Sequence, residues 1–169
     1  MQKHDQIDPV FTNIGNKKIR KDDIILNAIG GLDELNSFID ICYCNIKNND
    51  MLKILSNIQN NIFIINSELV SIINPVFKPD NKFTKKDVEE IEVLIQKFDH
   101  ELKRPKKFIV FHQTQGAYLG YARTIARRAE RELIRASSKY NIKNEIIEYM
   151  NKLSLLLFLI ALYITIKEF

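Results

Sequence analysis

The sequence predicts an all-α protein, a bundle of five near-parallel and antiparallel helices, and three features predict it. Glycine and proline are scarce, 5 and 4 in 169 residues, so elements run long before meeting a breaker, and helices sustain such lengths more readily than strands. Apolar residues recur at alternating spacings of three and four along five segments. Those stripes keep a seven-residue spacing over several turns, the pattern of helices packed at small crossing angles. The chain's length suits one domain over residues 1–169 with a sizeable core.

The first helix is expected from about Asp22 to Ile46, on the stripe Leu32, Leu35, Ile39, Cys42 and Ile46. The second runs from about Asp50 to Ile73 through Leu55, Ile58, Ile62, Ile65 and Leu69, and Asn74-Pro75 stops it. Thr84 is the expected N-cap of the third, with Asp87 three later as in a capping box. Its stripe is Val88, Ile91, Ile95, Phe98 and Leu102, and Arg104-Pro105 closes it. The fourth spans about Thr114 to Ser138, where Ala122, Ala126 and Ala129 on the inner seam permit close approach by a neighbour. The fifth, about Lys143 to Lys167, is apolar almost all round beyond Leu153 and belongs at the centre or at a subunit contact.

The formal net charge of +4 suits polyanionic partners. The runs Lys17-Lys18-Ile19-Arg20-Lys21 and Lys103-Arg104-Pro105-Lys106-Lys107 are basic patches or solvated loops. No stacking aromatics interleave them, so nucleic acid is not the expected partner. Cys42 and Cys44 are about 200° apart on a helix, which suits neither a disulfide nor zinc and fits a reducing interior. The polar N-terminus has no signal segment, and the apolar run Leu155 to Ile164 is short of the roughly 20 residues of a span. A cytoplasmic protein without membrane association is expected. The histidines His4, His100 and His112 show no metal spacing.

The densest polar constellation is Arg123-Thr-Ile-Ala-Arg127-Arg128-Ala-Glu130-Arg131. Arg123, Arg127, Glu130 and Arg131 share one side of a helix, with Arg128 further round. Guanidinium groups along one flank can clamp a polyphosphate through bidentate contacts. The same spacing also reads as an ordinary exposed face with Glu130 paired to Arg127 or Arg131. On the first helix Asp33, Asn36, Ser37 and Asp40 form a polar stripe, and Asp33 is a candidate partner for an arginine elsewhere. Asn151 sits at the edge of the fifth helix's buried stripe, where an amide needs a hydrogen-bond partner.

Taken together, four segments resemble the PduO-type corrinoid adenosyltransferases in order and spacing. They are Lys21-Asp22-Asp23, Asp33-Glu34-Leu35-Asn36-Ser37, Ala122 through Arg131, and Tyr149-Met-Asn151-Lys152-Leu153-Ser154-Leu155-Leu156-Leu157-Phe158. The resemblance implies a homotrimer that transfers the 5′-deoxyadenosyl group of ATP to cobalt(I) of a corrinoid such as cobalamin, releasing triphosphate. It implies that Arg127, Arg131 and Lys21 hold the phosphates, with Thr12, Gly15, Arg128 and Asn151 also on the nucleotide and Mg²⁺ riding on the phosphates. Glu130 would orient the arginines, and Asp33 would pair with Arg123 across the subunit interface. Phe108, with Phe111 as its rival, resembles the aromatic on the corrinoid side. A cobalamin reductase or an acceptor enzyme is an implied partner.

The chain departs from the family pattern in three places. Its N-terminal phosphate loop, within residues 1–20, is shortened to Thr12-Asn13-Ile14-Gly15-Asn16-Lys17-Lys18, with Asn16 where the family has an acidic residue. Val110-Phe111-His112-Gln113 replaces a glycine-rich turn, and Lys152 and Leu155 replace an arginine and an aspartate. Two other readings therefore stand beside the enzyme: a divergent member that binds nucleotide or corrinoid without transfer, and a basic helical trimer acting as scaffold or nucleic-acid contact.

Overall fold

The computed structural model describes residues 8–102 and 109–167. Among them a hairpin, β1 Phe11–Ile14 and β2 Lys17–Arg20, precedes five helices: α1 Ile24–Asn45, α2 Asn49–Ile73, α3 Lys85–Glu101, α4 Thr114–Ser137 and α5 Asn144–Lys167. The helices match the periodicity reading, and the hairpin corrects the all-α expectation. Its cause is local. Gly15 sits at φ +60° in a two-residue turn, with Ile14 paired to Lys17 and Phe11 to Arg20 in antiparallel register. A positive φ at the first turn position is the type II′ geometry, which favours glycine there.

The caps follow the chemistry of their residues. Asp23 accepts the Ile25 amide at 3.1 Å to begin α1, and Asn48 accepts those of Asp50 and Met51 to begin α2. At α3, the Thr84 amide donates to Asp87 Oδ2 at 2.7 Å, so the acidic arm of the expected capping box is in place.

One buried cluster joins all five helices, including Leu35 and Ile39 of α1, Ile62 and Leu69 of α2, Ile91 of α3, Leu133 of α4 and Leu157 of α5. Each such side chain contributes about 1.5–3 kcal/mol through the water it sheds. α4 packs against α1 on one side and α5 on the other, while α2 packs on α1 and α3 on α5. The alanine seam allows that closeness, since a Cβ on Gly31 would lie 3.5 Å from the Ala129 backbone. A smaller cluster, Ile19 with Ile25 and Ile73, seats the hairpin over the α1 start and the α2 end.

The stretch Asn144–Ile166 is long and apolar enough to cross a bilayer by length and composition, which the shorter run Leu155 to Ile164 did not suggest. Most of it is buried inside the bundle, as befits a core helix. Cys42 is buried and Cys44 exposed, as the 200° offset requires, and both thiols are free.

Candidate functional site

Because its alanine seam faces inward, α4 turns its polar residues to two flanks at about 100° per residue. Glu130 lies on the flank toward α5 and Arg128 on the flank toward α1, with Arg123, Arg127 and Arg131 along the outer side of the helix. Arg127 and Arg131 are exposed and Arg123 half-buried, and among the described residues none of the three has a carboxylate partner. Glu130 is instead engaged by α5: Asn151 Nδ2 donates to its Oε1 at 2.8 Å. Among the described residues Glu130 makes no ion pair with Arg127 or Arg131. A carboxylate at the α4–α5 seam reaches the facing amide more directly than guanidinium groups that lean outward. Arg128, in contrast, is ion-paired with Glu34 of α1.

The hairpin carries the second set of candidates. Gly15 forms its turn against α2, where an added Cβ would come within 2.2 Å of the Asn74 amide. Thr12 is half-buried on β1 opposite Ile19. Lys21 is exposed and donates from Nζ to the Asp8 carbonyl at 2.9 Å, while its own amide reaches the Val10 carbonyl. Asp8 organises the base of the hairpin, binding Lys18 at 2.8 Å and accepting from the Val10 and Phe11 amides. The Lys18 hydrogen bond, with those two amides, lowers the Asp8 carboxyl to about 2. Arg20 is held by Asp22 and, with Lys18, lies over the Phe11 ring. Of the basic run from Lys17 to Lys21, only Lys17 has no partner among the described residues.

Within one chain these two sets do not meet. The hairpin turn rests on the α2 end, α2 and α4 each pack on α1, and no hydrogen bond or ion pair joins the hairpin to Arg123, Arg127 or Arg131 among the described residues. The hairpin carries Gly15 at its turn, Thr12 on β1 and Lys21 at its open end, while the α4–α5 seam holds Glu130 against Asn151.

On the expected corrinoid side, Phe108 lies outside the described residues, as does the basic run from Lys103 to Lys107. Phe111 is half-buried in a seat made by glycine. A Cβ on Gly116 or Gly120 would approach its side chain to 3.3 Å or 3.0 Å, and Phe158 stacks edge-on at 6.1 Å. Asp33 is exposed, with no partner among the described residues. Lys152 bridges Glu92 of α3 at 2.8 Å and Glu148 at 3.3 Å, and Leu155 packs on the core. Lys152 therefore ties α5 to α3 by charge, while Leu155 serves packing. No group of three or more potential metal-binding side chains gathers among the described residues.

Sequence reasoning missed the tie around Asp23, whose carboxylate also takes Lys139 Nζ at 2.7 Å and the Tyr140 hydroxyl at 3.0 Å. Partners more than a hundred residues apart carry no local signal. It also missed the knot at Glu68, which accepts the Phe83 amide at 2.6 Å and Lys143 Nζ at 2.8 Å.

Residues 8–164 match the family model described as cobalamin adenosyltransferase. The chain belongs to this family. A corrinoid adenosyltransferase of Citrobacter freundii is 30% identical over 148 residues, covering 87% of this chain and 84% of the relative. A second Citrobacter freundii relative, the corrinoid adenosyltransferase PduO, is 31% identical over 80% of this chain, which spans only 41% of that longer protein. In three dimensions, a variant PduO-type ATP:corrinoid adenosyltransferase from Lactobacillus reuteri, complexed with cobalamin and ATP, superposes with a TM-score of 0.82. That structure is 26% identical and covers 92% of this chain and 88% of its own. An ATP complex of another variant of that enzyme also has a TM-score of 0.82, at 27% identity. This cobalamin adenosyltransferase family member keeps the arginine helix and the bundle around it.

Proposed function

We propose that this protein transfers the 5′-deoxyadenosyl group of ATP to cobalt(I) of a corrinoid, forming the adenosylated product and releasing triphosphate. The observation that carries the reading is the pair Arg127 and Arg131, one turn apart, exposed and without carboxylate partners beside the Glu130–Asn151 hydrogen bond. Family membership and relatives with bound ATP and cobalamin support it.

The reaction asks for positioning and charge stabilisation. Cobalt(I) of the substrate is the nucleophile: its electron pair forms the Co–C5′ bond while the C5′–O bond breaks and triphosphate leaves with the pair of that broken bond. Arg127 and Arg131 grip the phosphates and stabilise the charge that grows on the leaving group. Asn151, fixed by Glu130, bonds the nucleotide, and holding C5′ in line contributes about 7–11 kcal/mol to lowering the barrier. Phe111 and Phe158 supply an apolar wall that keeps water from the reduced metal. Mg²⁺ enters on the phosphates, and no protein ligand is assigned to it.

No contact among the described residues joins Thr12, Gly15 or Lys21 to the arginine row within one chain, and on this reading the full phosphate site draws its hairpin half from a neighbouring copy. This supports a homotrimer, with Asp33 of one subunit meeting the unpartnered Arg123 of the next. The reading places the protein in the cytoplasm beside a reductase that supplies cobalt(I). Anaerobic mixing with ATP and reduced cobalamin tests it, with the spectrum of the carbon–cobalt product expected. ATP binding without that spectrum would identify a non-transferring binder and overturn it.

A further inference from the structure

An N-cap needs one acceptor, and Asp23 supplies far more than that. Its carboxylate takes the Ile25 amide at 3.1 Å, Lys139 Nζ at 2.7 Å, and the Tyr140 hydroxyl at 3.0 Å from both oxygens. Serine, threonine or asparagine would cap the helix as well, so capping leaves the ties to the α4–α5 turn unexplained. Those ties run to the hairpin. The Asp23 amide donates to the Arg20 carbonyl at the end of β2, and the Tyr140 ring packs against the small core of Ile19, Ile25 and Ile73. On the other side, the Tyr140 amide donates to the Ala136 carbonyl, continuing α4 into the turn. A two-stranded hairpin is marginal by itself. This one is seated by the aspartate that starts α1 and the tyrosine that follows α4.

We propose that Asp23, through Lys139 and Tyr140, is a positioning residue that fixes the phosphate-binding hairpin, and Lys21 with it, for the nucleotide. The role of Lys21 rests on the adenosyl-transfer reading above; the mechanical tie does not. Asp23 touches no substrate and acts through the hairpin. Lys139 is half-exposed, yet it lies against a carboxylate that is only 12% accessible, so their contact is directed rather than incidental.

The test uses the full chain in three variants. Asp23→Ser keeps a cap but loses both ties, and the Lys139→Met/Tyr140→Phe double variant keeps Asp23 but removes its partners. Ile91→Val is the control, because it trims a buried side chain on α3, which packs on α5 and has no residue in the hairpin cluster, and so destabilises the bundle away from the hairpin. The first two are expected to raise the KM for ATP about tenfold, the size of a lost charge-assisted hydrogen bond, with kcat and the corrinoid KM within about twofold. Amides from Val10 to Lys21 should exchange hydrogen about tenfold faster in the same two variants. The control should lower Tm while leaving hairpin exchange and ATP KM unchanged. Unaltered hairpin exchange in both tie variants, or an equal rise in ATP KM in the control, overturns the proposal. If wild type makes no product, the adenosyl-transfer reading fails while the exchange comparison still decides the tie.

Discussion

Gly15→Ala puts one methyl group where the fold has least room for it. At φ +60° an L-residue costs about 1–2 kcal/mol relative to glycine, because its Cβ crowds the following carbonyl. The new Cβ would also stand 2.2 Å from Asn74 Nδ2 and 2.9 Å from Asn74 Cγ, so the Asn74 amide must swing away. Asn74 is the C-cap of α2, and its backbone amide to the Val70 carbonyl survives that rotation. The backbone cost is therefore the part that persists, and it raises the open population of the hairpin about 5–30-fold. Hydrogen exchange at the hairpin amides reads this directly, and the KM for ATP should climb with it. Repeating the substitution in an Asn74→Ala background separates the two causes, because only the collision is relieved there and the backbone penalty of about 1–2 kcal/mol remains. Unchanged hairpin exchange in Gly15→Ala would refute the reasoning, since the positive φ would then not be what holds the turn.

Three further outcomes are expected. Arg127→Ala should cut transfer by about 10²–10³-fold, while thermal unfolding moves by no more than about 0.5 kcal/mol, as its exposed and unpartnered side chain supports nothing in the fold; a retained rate of product formation would remove it from the reaction. Native alkylation should label Cys44 alone, with Cys42 reacting only after denaturation, because burial pushes that thiol up to about 12; mass spectrometry of modified peptides decides this. Asp8 is held at about 2 against an ordinary 3.8, so it favours the folded hairpin above about pH 4 and that contribution is lost as pH falls through its folded value. The Val10 and Phe11 amide shifts should follow a midpoint near 2, and a midpoint at the ordinary value would show the Lys18 contact to be idle.

Helix positions were legible because each rests on a local pattern. Leu55, Ile62 and Leu69 repeat along one face whatever they pack against, and Asn74-Pro75 stops a helix by its own geometry. The hairpin was legible in principle: Gly15-Asn16 between Phe11-Thr-Asn-Ile and Lys-Lys-Ile-Arg is a turn pair between short runs with strand-forming residues. The same residues also fit a shortened loop, because four-residue runs mixing Lys, Arg and Asn with Ile carry little strand periodicity. The partners of the charged residues were not legible. Glu130 has arginines at one and three positions along its own helix, yet it bonds Asn151 on the next, and Arg128 finds Glu34 on a third. Choosing among equally charged neighbours requires knowing which helices are adjacent, and that is decided by the apolar seams rather than by the charges.

Those pairings leave a pattern that bears on function. The fold provides a carboxylate for Arg128, Lys18, Arg20, Lys139 and Lys152, but none among the described residues for Arg123, Arg127 or Arg131. Like charges spaced one turn apart on a helix cost roughly 0.2–0.5 kcal/mol per pair. The one acid placed to relieve them, Glu130, is drawn to Asn151 instead. A surface that only needed solubility would interleave its charges, as Lys85–Glu89 and Lys86–Glu90 do on α3. The row on α4 stays uncompensated at a small energetic cost that an incoming polyanion removes. The packed alanine seam fixes the backbone that carries these guanidinium groups, so only their side chains need to order on binding one. On the adenosyl-transfer reading, the same packing that makes α4 a core helix therefore also fixes the backbone from which its outer flank meets phosphate.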